Sequence, residues 1–446
     1  MLIPPQDLGL SQTIPAQMAG TLACQSLLVI QKPNALKNRP TFNVIQKPAV
    51  MTHEPDLTQQ ASSASLERLS KSHVVLLNNY ITPHHLPVYE ALQKRVGKLT
   101  VLLSTPMEPN RTWKPNWGSL DVRIQKNITL TRRLKHSYGF QDNNFIHIPY
   151  DTLGQLKTIN ADVIVSYEMG FRTLLSQYNS WRRKIPLVMV CNISQHTENQ
   201  VIFSRRILRS IVKRFASTVT YNGPSCRQYL EETLQIDPKR LYHVPYASDP
   251  AKHYRGPTTR TPAFAHRLLY TSHLNDRKGI TPFLEALSRW CDDNPHRNVE
   301  FNVAGTGPLR DKLESASRPS NLSVTFHGDC DSEKLANLYR DSGLFVFTTF
   351  ADEWGMVAEE AWMAGLPVLG SKFAQSFEAL VQEGENGWMF QPTSIDQMYN
   401  KIDQAMNTTY ARLEEMRIRC RETVINRTPE SAAQKFAHAI AAAFEV

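Results

Sequence analysis

Between Phe350 and Val368 the sequence places two adjacent carboxylates, Asp352 and Glu353, then Gly355, then Glu360. A strand pattern ends near Thr349 and a helix pattern starts around Met356, so the stretch is a strand-to-helix turn. Gly355 lets the backbone approach a ligand with no Cβ in the way. The N–H groups of Gly355, Met356 and Val357 at a helix start can hold a phosphate. About one turn further in, the Glu360 carboxylate can accept hydrogen bonds from vicinal hydroxyls such as those of a ribose. Asp352 or Glu353 lies at the mouth, placed for sugar hydroxyls. Glu359 is expected to face away from Glu360 as an ordinary helix acid. A loop at the C-terminal end of a strand is where open α/β sheets bind ligands.

Two more stretches in the same half follow apolar runs of strand length. Tyr270 to Gly279 carries His273, Arg277 and Lys278 ahead of a helix. Ala304-Gly305-Thr306-Gly307-Pro308-Leu309 follows a strand and opens a helix, but it lacks the third glycine of a dinucleotide fingerprint. Gly305 and Gly307 therefore read as turn residues first and ligand neighbours second.

The stretch from Asp352 resembles glycosyltransferase family 4, which has the GT-B fold. That family carries an acidic residue, seven others, then Glu, with Phe-Gly inside and a helix closing in Gly-x-Pro-Val. Asp352 and Glu360 match the spacing, Trp354-Gly355 match Phe-Gly, and Gly365-Leu366-Pro367-Val368 match the close. Asp352 stands where Glu is usual, and the adjacent Glu353 shares that assignment. Glu378-Ala379-Leu380-Val381 and Glu385-Asn386-Gly387-Trp388 extend the likeness downstream. Lys278-Gly279 matches the family's Lys-Gly, while Ser272-His273 replaces its Gly-Arg and Arg277 is a substitute cation. The resemblance implies that these cations bind the donor pyrophosphate and neutralise it as the glycosidic bond breaks. It also implies that His327-Gly328-Asp329 is a loop contacting the nucleotide base.

By the same resemblance the first half holds the acceptor. Asn78 to His85 follows the first strand, which puts Asn79 and His84 on the cleft side. Glu168 to Arg172 and Asn192 to Glu198 each follow a later strand. Glu168 is an acceptor-side candidate, and His196 is a candidate for contacting the transferred sugar.

Helices and strands must position these groups. His73–Leu77, Leu99–Leu103, Asp162–Ser166 and Pro186–Cys191 are apolar runs of strand length, separated by helical stretches such as Leu86–Arg95. The pattern restarts at Arg267–Thr271 and continues through Val299–Ala304, Leu322–Phe326, Leu344–Thr348 and Pro367–Leu369. Alternation of this kind predicts parallel sheets covered on both faces. Tyr246 to Pro262, rich in proline and small residues, reads as a linker.

The alternation gives the class α/β, and the resemblance implies two Rossmann-like domains of the GT-B type facing each other across a cleft. The boundaries are a disordered extension over 1–70, an acceptor domain over 71–250, a nucleotide-sugar domain over 263–430 and a C-terminal helix over 431–446. The extension is rich in Pro, Gln, Ser and Thr, and its one apolar run, Ala23–Ile30, has no basic segment before it as a signal peptide would.

At 446 residues the chain suits two domains, and 41% hydrophobic with 20% charged residues is a globular composition. No window approaches a membrane span. Six scattered cysteines have neither zinc spacing nor a disulfide framework, which fits a cytoplasmic protein. The net charge of +9 suits anionic phosphates rather than requiring nucleic acid, and no nucleic-acid partner is expected. Ser204 to Ser217 places Ile207, Leu208, Ile211, Val212 and Phe215 on one face, with Arg205, Arg206, Arg209, Lys213 and Arg214 on the others. One reading packs the apolar face on the sheet and leaves a solvated basic face. The other has that surface meet anionic membrane peripherally, at the cytoplasmic face.

The resemblance implies a hexose-type transfer from a nucleotide-diphosphate sugar to a glycan, lipid-linked or small-molecule acceptor, as in polysaccharide biosynthesis. It implies retention of configuration, with no metal and no cofactor. The rival readings are an epimerase or phosphorylase on the same scaffold, and a non-catalytic nucleotide-sugar-binding subunit.

Overall fold

The computed structural model describes residues 60–446, apart from 110, 112–113, 137, 199–202 and 249–258. The expected disorder over residues 1–59 lies outside this range. For residues 60–70 the expectation is corrected. Ser63–Lys71 is a helix, capped where the Ser62 side chain accepts from Ser65 N. Its Leu69 is buried in the core of the first half. Its remaining surface is polar, which is why composition concealed it.

Among the described residues nine strands form in the first half: β1 His73–Asn78, β2 Lys98–Leu103, β3 Asp121–Ile124, β4 Asn127–Lys135, β5 Gln141–Pro149, β6 Val163–Tyr167, β7 Leu187–Val190, β8 Thr218–Tyr221 and β9 Leu241–His243. Seven of them make one sheet in the order β3-β2-β1-β6-β7-β8-β9, parallel throughout. Valine and leucine fill β1 and β2 because helices cover both faces, so every residue after the first is buried. The second half adds β10 Leu268–Thr271, β11 Val299–Ala304, β12 Leu322–Gly328, β13 Leu344–Phe347, β14 Val368–Ser371 and β15 Gly387–Phe390. These pair in the order β12-β11-β10-β13-β14-β15, again all parallel. In both sheets the strand order reverses beside the first strand, at β1/β6 and at β10/β13. That reversal opens a crevice at the strands' C-terminal ends.

Sequence reading did not anticipate β4 and β5. They form an antiparallel hairpin in register from Asn127↔Pro149 to Lys135↔Gln141, apart from the main sheet. Strands β3, β8, β9 and β15 were also unread, being three or four residues each.

The final helix, Pro429–Ala442, returns to the first half. Ala433, Phe436, Ala437 and Ile440 join the core around Val74, Leu76 and Leu92. Its alanines permit the close approach in which Thr218 Oγ1 donates to Ala439 O at 2.9 Å. Glu445 beyond it accepts from Ser62 N at 2.9 Å, tying both described ends of the chain together. The expected linker also needs correction at its end. Arg260 is buried in the second half, where its guanidinium donates to Ser342 O, Tyr339 O and Ala364 O.

The helix Phe203–Phe215 reverses much of its expected orientation. Val212 and Arg209 are buried, whereas Ile207, Ile211 and Phe215 are exposed. Arg209 turns inward instead because it pairs with Glu198 and donates to Tyr229 Oη. The side chains of Arg205 and Arg206 lie outside the described ones.

Candidate active site

The turn after β13 is fixed by its neighbour after β10. Phe350 N donates to Arg277 O at 2.8 Å, and Arg277 Nη1 returns a bond to Ala351 O at 2.9 Å. Thr348 Oγ1 donates to Lys278 O at 2.6 Å. Lys278 Nζ then pairs with Asp352, both side chains largely enclosed. Burial and the cations around it pull the Lys278 ammonium below its usual range, against the pull of Asp352. Burial opposes ionisation of Asp352, but Lys278 and Arg277 outweigh it and hold the carboxyl below the usual range.

Gly355 starts the helix Met356–Met363 as expected, with φ +93 and no side-chain cap. A Cβ there would lie 2.8 Å from Phe347 Cε1, so glycine is required by both conformation and space. Met356 and Val357 supply the first turn. Glu360 is buried, and Tyr339 Oη donates to its Oε2 at 3.0 Å. Glu359 does face elsewhere, but it is no surface acid. It is fully buried, and Oε1 accepts from Trp354 Nε1 and Arg427 Nε, each at 2.9 Å. Sequence reading missed that a buried acid requires a distant cation, here Arg427.

Glu353 opens into the cleft, where its side chain is accessible but walled by both halves. That enclosure, with Glu168 and Asp352 nearby, pushes its carboxyl up to about 7. Its own carbonyl accepts from Asn222 Nδ2 and Gln375 Nε2, each at 2.8 Å. Gln375 also donates to Asn192 O at 3.0 Å and accepts from Cys226 N at 3.0 Å. The loops that end strands of the two sheets are thus stitched together beside Glu353.

His273 is exposed on the loop after β10, near Gly305 and Gly307. A Cβ on Gly305 would fall 2.0 Å from Ser272 O, so this turn packs directly on that loop. Gly305 N donates to Gly328 O at 2.8 Å, which brings the His327–Asp329 turn alongside. Lys278, Arg277, His273, Gly305, Gly307, Gly328 and the Gly355 turn therefore share one end of the second sheet.

Across the cleft, Asn79 Nδ2 donates to Glu168 Oε1 at 2.9 Å. Glu168 adopts φ +67, an uncommon conformation for a side chain of its size. Arg172, buried beneath, holds this loop by donating to Asn79 Oδ1 at 2.7 Å and Tyr167 O at 2.9 Å. His84 precedes the helix His85–Gln93 and gives it no side-chain cap. It is His85 that is enclosed, its ring 5.4 Å from Tyr89 and 5.5 Å from Tyr167, and burial lowers its imidazole to about 4. Sequence spacing did not separate these adjacent histidines.

His196 stacks on Phe373 of the second half at 4.4 Å. Burial, with Lys372 and His136, lowers it to about 4, so it is neutral at neutral pH. The same Phe373 meets Tyr138 from the tip of the β4–β5 hairpin at 5.1 Å, and Phe140 lies 6.2 Å from Phe350. An aromatic clasp from the first half therefore rests on the rim of the second. Among the described residues no cluster of three or more His, Cys, Asp or Glu could hold a metal ion.

Compared with solved structures, the chain is similar to Anabaena Alr3699/HepE, determined with UDP, at TM-score 0.61 and 16% identity. That match covers 82% of this chain and 98% of the other. The chain has the GT-B fold. Residues 265–427 of this GT-B chain match the family model of glycosyl transferases group 1. A similar curated protein is an uncharacterized glycosyltransferase of Methanocaldococcus jannaschii, 26% identical over 31% of this chain. That alignment spans only 35% of the relative, about a third of its length. Another is the GalNAc-alpha-(1->4)-GalNAc-alpha-(1->3)-diNAcBac-PP-undecaprenol alpha-1,4-N-acetyl-D-galactosaminyltransferase of Campylobacter jejuni. It is 22% identical over 62% of this chain and 74% of its own length.

Proposed function

We propose that this GT-B chain is a family 4 glycosyltransferase. It moves a hexose-type sugar from a nucleotide-diphosphate donor to a glycan, lipid-linked or small-molecule acceptor, as in polysaccharide assembly in the cytoplasm. The observation that carries this is the convergence at β10 and β13. An uncapped helix start at Gly355–Val357 and the cations Arg277 and Lys278 stand together, with Glu360 one turn behind. Such a site suits a diphosphate flanked by a ribose and a sugar. The solved relative bound to UDP supports the donor class.

In this reading the second half is the donor domain and the first half the acceptor domain. Lys278, with Arg277 and His273, takes the diphosphate, and Glu360 takes the ribose hydroxyls. Gly305, Gly307 and Gly328 flank the nucleotide. Asp352 or Glu353 meets the sugar, with His196 opposite. Asn79, His84 and Glu168 face the acceptor. Configuration is retained without a metal or cofactor, the cations and helix start supplying the charge. Calorimetric titration of the full chain with UDP, GDP, ADP and TDP tests the donor reading. One of them should bind with micromolar affinity or better in buffer containing a chelator. Binding of none, or binding only after metal is added, refutes it.

A further inference from the structure

The loop that follows β2 is pinned against the loop that follows β1. Ser104 N donates to Asn78 O at 3.1 Å and Thr105 N to Asn79 O at 3.0 Å, so the two stretches stay paired past the end of the sheet. Thr105 Oγ1 donates to Met107 O at 2.9 Å. Arg111 N donates to Glu108 O at 3.1 Å, and Glu108 Oε1 lies 3.4 Å from Nε2 of the buried His147 on β5. The segment that carries Arg111 is thereby tied to the hairpin on one side and to the β1 loop on the other.

From this anchor the Arg111 guanidinium donates to the Tyr80 hydroxyl. Burial, the larger influence, pushes that phenol up to about 12 against the pull of Arg111, so it remains a hydroxyl. Arg111 also acts across the cleft. Its charge favours the ionised form of Glu353 and disfavours that of Lys278, and Arg277 presses on the same ammonium. Cations from both halves thus converge beside Asp352, whose carboxylate pairs with Lys278. Like charges held together in this way repel until an anion comes between them. A diphosphate carries that charge, and the fork of an arginine matches its oxygens. An anionic group on the acceptor would meet the carboxylates of Glu353 and Glu168, which lie close to each other. That leaves the diphosphate of the donor as the ligand that fits.

We propose that Arg111 is a donor-site residue contributed by the first half, closing across the cleft on the diphosphate that Arg277 and Lys278 take from the second. This rests on the nucleotide-sugar reading above. Because Glu353 is a sugar-side carboxylate of that reading, Arg111 meets the phosphate that carries the sugar. The test is calorimetric titration of the full chain with UDP, GDP, ADP and TDP and with their matching monophosphates, in buffer containing a chelator. For the diphosphate that wild type binds, Arg111→Ser should weaken affinity at least about tenfold, and affinity for the matching monophosphate by less than about threefold. Arg111→Lys keeps the charge and should recover most of the loss. Tyr80→Phe removes the hydroxyl that holds the guanidinium and should lose less than Arg111→Ser, again for the diphosphate alone. Lys114→Ser, at an exposed cation further along the same loop, should bind as wild type does. Arg111 is exposed, so its variants should melt as wild type does, and Tyr80→Phe decides the matter if Arg111→Ser does not fold. If wild type binds none of the diphosphates, the nucleotide-sugar reading falls and this proposal with it. If wild type binds one and Arg111→Ser binds it equally, the proposal alone is overturned. The same holds if Arg111→Ser loses the monophosphate to the same extent, or if Lys114→Ser loses as much.

Discussion

Lys278 and Asp352, from loops that follow the neighbouring strands β10 and β13, form an ion pair inside the cleft. In the proposed donor site the pair would hold a cation for the diphosphate and a carboxylate for the sugar hydroxyls in position. Removing one partner of an enclosed pair leaves the other charge uncompensated, at a cost of about 3–5 kcal/mol when burial is complete. Lys278→Ala is therefore expected to lower the melting temperature and to weaken nucleoside diphosphate binding at least about tenfold. Scanning calorimetry and titration check the two effects separately. Wild-type affinity for the diphosphate would remove Lys278 from the donor site.

Glu360 accepts a hydrogen bond from the Tyr339 hydroxyl. Glu360→Gln keeps the shape and that contact but loses the charged acceptor. Hydrogen bonds to charged groups contribute about 1.5–3 kcal/mol, so nucleoside diphosphate affinity should fall about ten- to a hundredfold. Tyr339→Phe should fall less, because it removes one hydrogen bond to the carboxylate and keeps the carboxylate itself. The comparison is made by titration, with circular dichroism to show that both variants fold.

The strand-to-helix turn at Gly355 was legible in the sequence because its signals are local. Gly355, Met356 and Glu360 sit within two helical turns, and strand and helix periods on either side fix their placement. The partners of Glu359, Glu198 and Glu353 were not legible, since Arg427, Arg209 and Gln375 come from other elements that only the folded chain brings alongside. The hairpin escaped because Arg132, Arg133 and Asn143 break the apolar alternation that marks a half-buried strand. Helix Phe171–Arg183 defeats the usual rule outright, because its apolar stripe, Phe171, Tyr178 and Trp181, marks the solvent side rather than the core.

Glu353 should make the protein sensitive to pH near neutrality. Its folded carboxyl is pushed up to about 7, above the ordinary glutamate value of 4.5, because the surrounding walls displace water from it and the carboxylates of Glu168 and Asp352 lie near. Between those two values the folded state holds a proton that the unfolded chain has released. Stability attributable to this group is therefore full below about pH 4.5 and lost as pH rises through about 7. Glu353→Gln should flatten the melting temperature across that window and raise it above pH 7 relative to wild type. If Glu353 also serves sugar transfer in its ionised form, the wild-type rate rises through about pH 7 and the glutamine variant loses that limb. Parallel melting curves for the two proteins from pH 5 to 8 would contradict the assignment.

The hairpin tip supplies the remaining test. Tyr138 stacks on Phe373 and lies 6.1 Å from Phe350, and these phenylalanines belong to the loops that follow β14 and β13. His196, the candidate for touching the transferred sugar, is the other ring stacked on Phe373. The clasp therefore closes one side of the space where the sugar would sit, and an isolated two-stranded ribbon needs such a contact to be ordered. Each aromatic pair contributes about 0.5–1.5 kcal/mol, so Tyr138→Ala should weaken nucleotide-sugar binding about three- to tenfold. Nucleoside diphosphate binding should hardly change, because Arg277, Lys278 and Glu360 are untouched. Equal loss of both ligands would mean that the hairpin supports the whole site rather than the sugar pocket.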